Sequence, residues 1–289
     1  MQFIKKLFSP ILSIMKFIQE HFKAMIFVLI LFLIFAPQSK EDLKPNNLEQ
    51  INLVGPIMEV SEVLKQIDDA AANHLVKGIL LNVDSPGGAV APSIEIAYAI
   101  KRAKESKPVV VYASGTIASG SYYASIWANE IIVNPGSMVG SIGVIMQGAD
   151  VSELMSKIGI KSQSVQAGKY KKVGASDREW TEFEINELNK VIQGTYELFT
   201  HDVAEARGLD IKQRDFYANA HIFTASQAKE VGLVDTLGVS FDAKKRLIEL
   251  SGVKTPQWNE ENRFDKFMKK ISAQTALSIH TYFPALSLR

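Results

Sequence analysis

From Leu48 onward the chain alternates short apolar runs with helical patterns, and this alternation restricts its fold more than any other feature. INLVG is followed by a helical pattern from about Ser61 to Asn73, and then by GILLNV. A second helical pattern, from about Ala91 to Lys104, leads to PVVVYA; another helix begins near Ser119, and EIIVN follows it. Strands that alternate with helices predict an α/β fold with a largely parallel sheet, because a parallel pair needs a crossover to return the chain. Ser176 and Glu179 have the spacing of a capping box, which predicts a long helix from Ser176 to about Arg207, ended by Gly208. Together these elements predict one domain over residues 48–250, an ordinary size for a single core.

Composition narrows the chemistry. A net charge of +1 offers no basic excess for a polyanion, so nucleic acid is not an expected partner. Cysteine is absent, which removes disulfides, thiolate metal sites and a thiol nucleophile together. The five histidines, His21, His74, His201, His221 and His280, are scattered and form no HExxH pair, so neither a metal nor another cofactor is expected.

The N-terminal segment carries Lys5, Lys6, Lys16 and Lys23 ahead of the apolar run Ala24 to Ala36. Thirteen apolar residues are short for a span, yet a helix from about Gln19 to Gln38 reaches across if Lys23 extends to the interface. The long positive leader and the lack of a small-x-small site at Ile34-Phe35-Ala36 favour a retained anchor over a cleaved signal. The expectation is a leader and anchor over 1–38 with its N-terminus in the cytoplasm, and a polar linker over 39–47. At the other end, Phe264, Phe267, Met268 and Ile271 recur at helical spacing within an extension over 251–289.

Three loops follow predicted strands, where α/β folds place their ligands. The first, Asp84-Ser85-Pro86-Gly87-Gly88, is either a simple turn or a place where backbone N–H groups approach developing negative charge. The second, Ala118-Ser119-Gly120-Ser121-Tyr122-Tyr123, presents Ser119 either as a helix N-cap or as a nucleophile; the Gly120 N–H and one from Gly87 or Gly88 would then surround an oxyanion. The tyrosines Tyr122 and Tyr123 are candidates to line a substrate groove. The third, Gly168 to Gly174, holds Lys169, Lys171 and Lys172. A lysine that serves as a base must lose its proton, which burial and like-charged neighbours promote. On extended backbone Lys169 and Lys171 share one face and Lys172 points away, so the pattern leaves the first two as alternatives. Between the second and third loops, Ser137 and Ser141 stand in a glycine-dense passage where either hydroxyl can orient a neutral amine.

In their order D-S-P-G-G, A-S-G-S-Y-Y, V-G-S-I-G-V-I, G-K-Y-K and F-T-A-S-Q-A-K-E-V-G-L-V-D, these segments resemble the bacterial signal peptide peptidases of the A type, from about Asn52 to Gly238. That resemblance implies the Clp protease/crotonase fold and a membrane-bound serine endopeptidase. It implies Ser119 as nucleophile, Lys171 as general base, Ser141 as the hydroxyl that orients it, and Gly120 with the Gly87-Gly88 turn as the oxyanion site. It also implies cleaved signal peptides or other extended apolar peptides as substrates, at the outer face of the cytoplasmic membrane. Short members form homo-oligomeric rings in which neighbouring subunits share a site. Two positions depart from the family pattern: Ser121 stands where a glycine is usual, and His221-Ile222 replaces a common Gly-Arg pair. The competing expectations are a crotonase-like acyl-CoA enzyme and a non-catalytic membrane scaffold of the same fold.

Overall fold

The computed structural model describes residues 18–28 and 45–259. The chain divides into two compact units, one of them Asn46–Trp258. Of the other, residues 18–28 are helical. No described helix is long and apolar enough to cross a membrane. The expected anchor is described only up to residue 28 and its remainder lies outside the described residues, as does the C-terminal helical pattern, which begins after residue 259.

In the larger unit, β1 (Glu49–Val54), α1 (Ser61–Ala72), β2 (Ile79–Ser85), α2 (Val90–Lys104) and β3 (Val109–Ala118) form two consecutive crossovers with parallel pairing throughout. Then come α3 (Gly120–Ser125), β4 (Glu130–Val133), β5 (Met138–Gly140), α4 (Ser152–Lys157) and the long α5 (Glu182–Arg207). A 3-10 turn at Ile211–Gln213 precedes α6 (Arg214–Tyr217), β6 (Ile222–Thr224), α7 (Ala225–Glu230), β7 (Thr236–Leu237) and α8 (Ser240–Ser251). The sheet runs β1-β2-β3-β4-β7, with β5 and β6 branching from β3. Among the described residues, only β5 and β6 pair antiparallel. An α/β fold with a mostly parallel sheet is therefore what the chain adopts.

The apolar runs are nearly continuous because the central strands are buried on both faces. Ile79, Leu81 and Val83 of β2 and Val109, Val111 and Ala113 of β3 enter the larger core, beside α1, α2 and α3. Alternate residues Leu80, Val110 and Tyr112 enter a second cluster, closed by Ala243 and Leu247 of α8.

Strand β3 forks. Its first half pairs with β4 over Val110 to Ala113, and its second half pairs with β5 over Thr116 to Ala118. The β2–β3 register shifts between Val83 and Ser85, and Asp84 patches that gap by accepting the Thr116 N–H at 2.8 Å. Gly115 leaves room for this bond, since a Cβ there would collide with the Asp84 carboxylate and displace it.

The long helix begins five residues later than the spacing at Ser176 predicts. Its N-cap is Thr181, which forms a complete capping box with Glu184. Residues 176–180 are held out of the helix by their own bonds: Asp177 binds Lys172, Arg178 reaches forward to Glu184, and the Trp180 indole donates to the Ala175 carbonyl. The C-terminal end is as expected, with Gly208 left-handed at φ 65°.

Candidate active site

Strand β3 runs directly into Ser119, whose N–H continues the ladder to the Gly140 carbonyl at 2.8 Å. The backbone then turns sharply, with Ser119 at φ 53° and ψ −124°, a conformation that side chains other than glycine rarely adopt. The Ser119 carbonyl accepts the Tyr123 N–H at 3.0 Å and so starts α3. The Ser119 side chain makes no capping hydrogen bond, which sets aside the N-cap reading. Half-buried Ser119 instead lines a cleft together with Gly88, Gly120 and Ser93.

The turn is held by the hydroxyl one residue beyond Gly120. Ser121 is fully buried; its Oγ accepts the Ala118 N–H at 2.9 Å and donates to the Ser85 carbonyl at 2.7 Å. A serine at this position thus joins the two loops that frame the cleft.

The two glycine loops approach so closely that side chains do not fit between them. A Cβ on Gly87 would stand 2.6 Å from the Gly120 nitrogen and 2.7 Å from the Ala118 oxygen. A Cβ on Gly120 would collide with Ser93 Oγ and lie 3.2 Å from the Gly88 nitrogen. Gly87 donates its N–H to Ser85 Oγ at 3.2 Å and does not line the cleft. Among the described residues, the N–H groups of Gly88 and Gly120 have no acceptor. Gly120 is the first residue of its helix, where an N–H has no intrahelical partner. Two backbone donors without an acceptor among the described residues therefore belong to residues that line the same cleft as Ser119.

The rest of the cleft is mainly apolar, formed by Val90 and Ile94 of α2, Gly143, Val144 and Ile145 of the irregular segment after β5, and Thr195, Leu198 and Phe199 of α5. Sequence patterns did not single out these wall residues, because a helical period does not say which neighbour a helix will meet. Of the two tyrosines expected to line a groove, Tyr123 does so. Tyr122 requires a correction: it is fully buried in the core and its hydroxyl donates to the Leu233 carbonyl at 2.7 Å. Adjacent helical residues point about 100° apart, so one tyrosine can face the cleft and the other the core. Burial, together with the Asp202 carboxylate that accepts its hydroxyl, raises the Tyr123 pKa and keeps it a neutral donor.

Lys171 and Ser141 do not line this cleft. Lys171 is exposed in the turns after Gly168, and its side chain makes no ion pair or hydrogen bond among the described residues. Lys169 is exposed too, with its ammonium 4.2 Å from the Phe183 ring centroid. Lys172 is committed to Asp177 at 2.9 Å. Ser141 is half-buried with φ 50°, and its N–H donates to the His221 carbonyl at 2.7 Å. The unusual His221 therefore acts through its backbone here. One group of possible metal ligands appears among the described residues, His201, Asp202 and Glu205, with ligand atoms within 4.8 Å of one another. Its carboxylates already have partners in Tyr123 and, at 3.8 Å, Lys101.

Comparison with known proteins gives the chain a family. The model of peptidase family S49 matches residues 101–254, a stretch that includes Ser119, Ser141, Lys169 and Lys171. A protein of Methanocaldococcus jannaschii, provisionally named a protease, is 42% identical over 66% of this chain and 61% of its own length. A protein of Enterococcus faecium, provisionally named signal peptide peptidase SppA, is 33% identical over 62% of this chain and 53% of its own. Protease 4 of Salmonella typhi is 36% identical over 67% of this chain and 31% of its own. The matched part of the chain thus spans between 31% and 61% of the length of these relatives. A family match over more than half the chain, which takes in the strand–turn–helix that carries Ser119, means that this chain belongs to peptidase family S49.

Proposed function

We propose that the chain is a membrane-anchored serine endopeptidase that cleaves remnant signal peptides or other extended apolar peptides at the outer face of the cytoplasmic membrane. The observation that carries this reading is the uncapped Ser119 hydroxyl in an apolar cleft, beside the free N–H groups of Gly88 and Gly120. The family model and the relatives named as proteases support it. We read the forked strand β3 as the Clp protease/crotonase arrangement.

In this mechanism Ser119 Oγ attacks the scissile carbonyl carbon while its proton passes to Lys171 Nζ. The resulting oxyanion is received by the Gly88 and Gly120 N–H groups. The C–N bond then breaks, the leaving nitrogen takes the proton from Lys171, and the acyl group stays on Ser119. Water, deprotonated by the same lysine, hydrolyses the ester. Ser141 orients the amine. Because Lys171 is exposed and does not line the Ser119 cleft of its own chain, we place the working dyad across a subunit boundary in a homo-oligomeric ring. The apolar wall suits an extended apolar substrate. The leader and anchor over 1–38 would hold the peptidase domain at the membrane.

The test is hydrolysis of an apolar peptide library together with fluorophosphonate labelling of Ser119. Ser119→Ala and Lys171→Ala should each lower hydrolysis by roughly a thousandfold or more, while Lys169→Ala retains most of it. Full activity in Lys171→Ala would overturn the dyad, and tight acyl-CoA binding without hydrolysis would point to a crotonase-like enzyme.

A further inference from the structure

Behind the cleft, Asp202 is a buried carboxylate that the Ser119 chemistry does not use. It sits on α5, is 6% exposed, and accepts the Tyr123 hydroxyl. Tyr123 lies one helical turn past Ser119, with its own N–H bonded to the Ser119 carbonyl. Its ring meets Phe199 edge-on, with centroids 4.8 Å apart and planes at 66°, and both residues line the cleft beside Ser119. Phe199 and Asp202 are three residues apart on α5 and so share one side of that helix. The other neighbour of the carboxylate is the exposed His201, at 3.7 Å. A carboxylate is costly to bury and is retained where its hydrogen bond has a use.

We propose that Asp202 is a positioning residue: by holding the Tyr123 hydroxyl it fixes the Tyr123–Phe199 wall and so sets which side-chain sizes the Ser119 cleft accepts. The inference rests on reading that cleft as a peptide-cleaving site. A phenylalanine at 123 keeps the ring but frees it to tilt, and the abandoned carboxylate draws α5 toward water. Ser119 does not move with the wall, because its turn is fastened separately by Gly140 and by the Ser121–Ser85 bond. The change therefore falls on substrate size and leaves the reactivity of the serine intact.

The experiment compares two peptides that differ only in leucine or alanine at the residue before the scissile bond. Their kcat/KM values are measured with the full chain and with its Tyr123→Phe and Asp202→Asn variants. Their affinities are measured by calorimetry with the same changes in a Ser119→Ala background. Tyr123→Phe should change the leucine-to-alanine ratio about fivefold or more, within the range that a few methylenes can carry. Asp202→Asn, which keeps an acceptor for the hydroxyl, should retain most of the wild-type ratio. If Tyr123→Phe does not fold, Phe199→Leu, which removes the partner ring and leaves the hydrogen bond intact, should also shift the ratio. A uniform loss for both peptides, with the ratio unchanged, means a merely structural role and overturns the proposal. If the wild type hydrolyses neither peptide but Tyr123→Phe shifts the binding ratio, the peptidase reading falls and the positioning role stands. If the wild type hydrolyses neither peptide and the Ser119→Ala chain binds neither, both fall.

Discussion

The Ser121 hydroxyl donates to the Ser85 carbonyl at 2.7 Å and thereby ties the end of β2 to the turn that displays Ser119. It also accepts the Ala118 N–H, so one buried oxygen serves both loops of the cleft. Ser121→Ala leaves the Ala118 N–H and the Ser85 carbonyl buried without that partner, at a cost of about 1–3 kcal/mol. Thermal melting should show the loss as a lower Tm. Peptide hydrolysis should fall more steeply than the folded fraction, because the displaced groups bracket Ser119.

Gly87 touches the same turn from the other side. It has φ 93°, and a Cβ there would stand 2.6 Å from the Gly120 nitrogen and 2.9 Å from the Ser119 Cβ. Both obstacles are parts of the site, so Gly87→Ala must push Ser119 and Gly120 out of register. A displacement near 1 Å costs about a hundredfold in rate. Gly174→Ala is the control, since it has a similar positive φ of 84° but nothing within 4 Å. Circular dichroism should find both variants folded, while fluorophosphonate labelling of Ser119 is slowed in Gly87→Ala alone.

What could be read in advance follows from the range of the forces involved. The loops at Asp84 and Ser119 were legible because each ends an apolar run of the right length, and β5, β6 and β7 were not, because two or three residues carry no period. The cap at Thr181 was missed although Thr181 and Glu184 have the same spacing as Ser176 and Glu179; the choice depended on where Asp177, Arg178 and Trp180 found partners. Ser119 was legible as a candidate nucleophile because Gly120 follows it and the Gly87-Gly88 turn offers a second backbone donor. The role of Ser121 was hidden, because its acceptor lies 36 residues earlier. Similarly, no local pattern announces that α5 brings Phe199 and Leu198 to the cleft.

Glu184 should make stability depend on acid. Both guanidinium nitrogens of Arg178 bond its oxygens at 2.6 Å, and the Thr181 N–H adds a third bond, so its pKa is held down to about 2 from an ordinary 4.5. A carboxylate whose folded pKa is depressed stabilises the fold fully above its unfolded value, and that contribution is lost as pH falls from 4.5 toward 2. In melts recorded from pH 7 to pH 2, Glu184→Gln should therefore lie below the wild type at neutral pH and converge with it across that window. A constant gap would show that the Arg178 pair adds nothing pH-dependent.

Arg207 and Asp235 fasten the end of α5 to the sheet. The guanidinium bonds Asp235 at 2.7 and 3.1 Å, and Asp235 also accepts the Ile131 N–H at 2.7 Å. The Arg207 side chain is 9% exposed and Asp235 is 36% exposed, so Asp235→Ala leaves a largely buried cation with the Gly232 carbonyl at 3.3 Å in place of its carboxylate, at a cost of about 1–3 kcal/mol. Asp235→Asn keeps an acceptor and should cost less. Urea denaturation of the two variants separates the outcomes, and equal midpoints would mean that a neutral acceptor adds nothing and that the carboxylate charge carries the bond.

Lys171 supplies the prediction that concerns the assembly. It is exposed and unpaired among the described residues, and it does not line the Ser119 cleft of its own chain. If each working site takes Ser119 from one subunit and Lys171 from its neighbour, a mixture of Ser119→Ala and Lys171→Ala chains contains sites in which both groups are intact. Random assembly of equal amounts leaves the serine present in half of the sites and the lysine independently present in half. Hydrolysis should then recover to roughly a quarter of wild type, as a ring built from repeated head-to-tail contacts requires. A dyad within one chain predicts no recovery, because every chain in the mixture lacks one member. Refolding the two inactive variants together, against each refolded alone, distinguishes these outcomes; a mixture as inactive as its parts would return the dyad to a single chain.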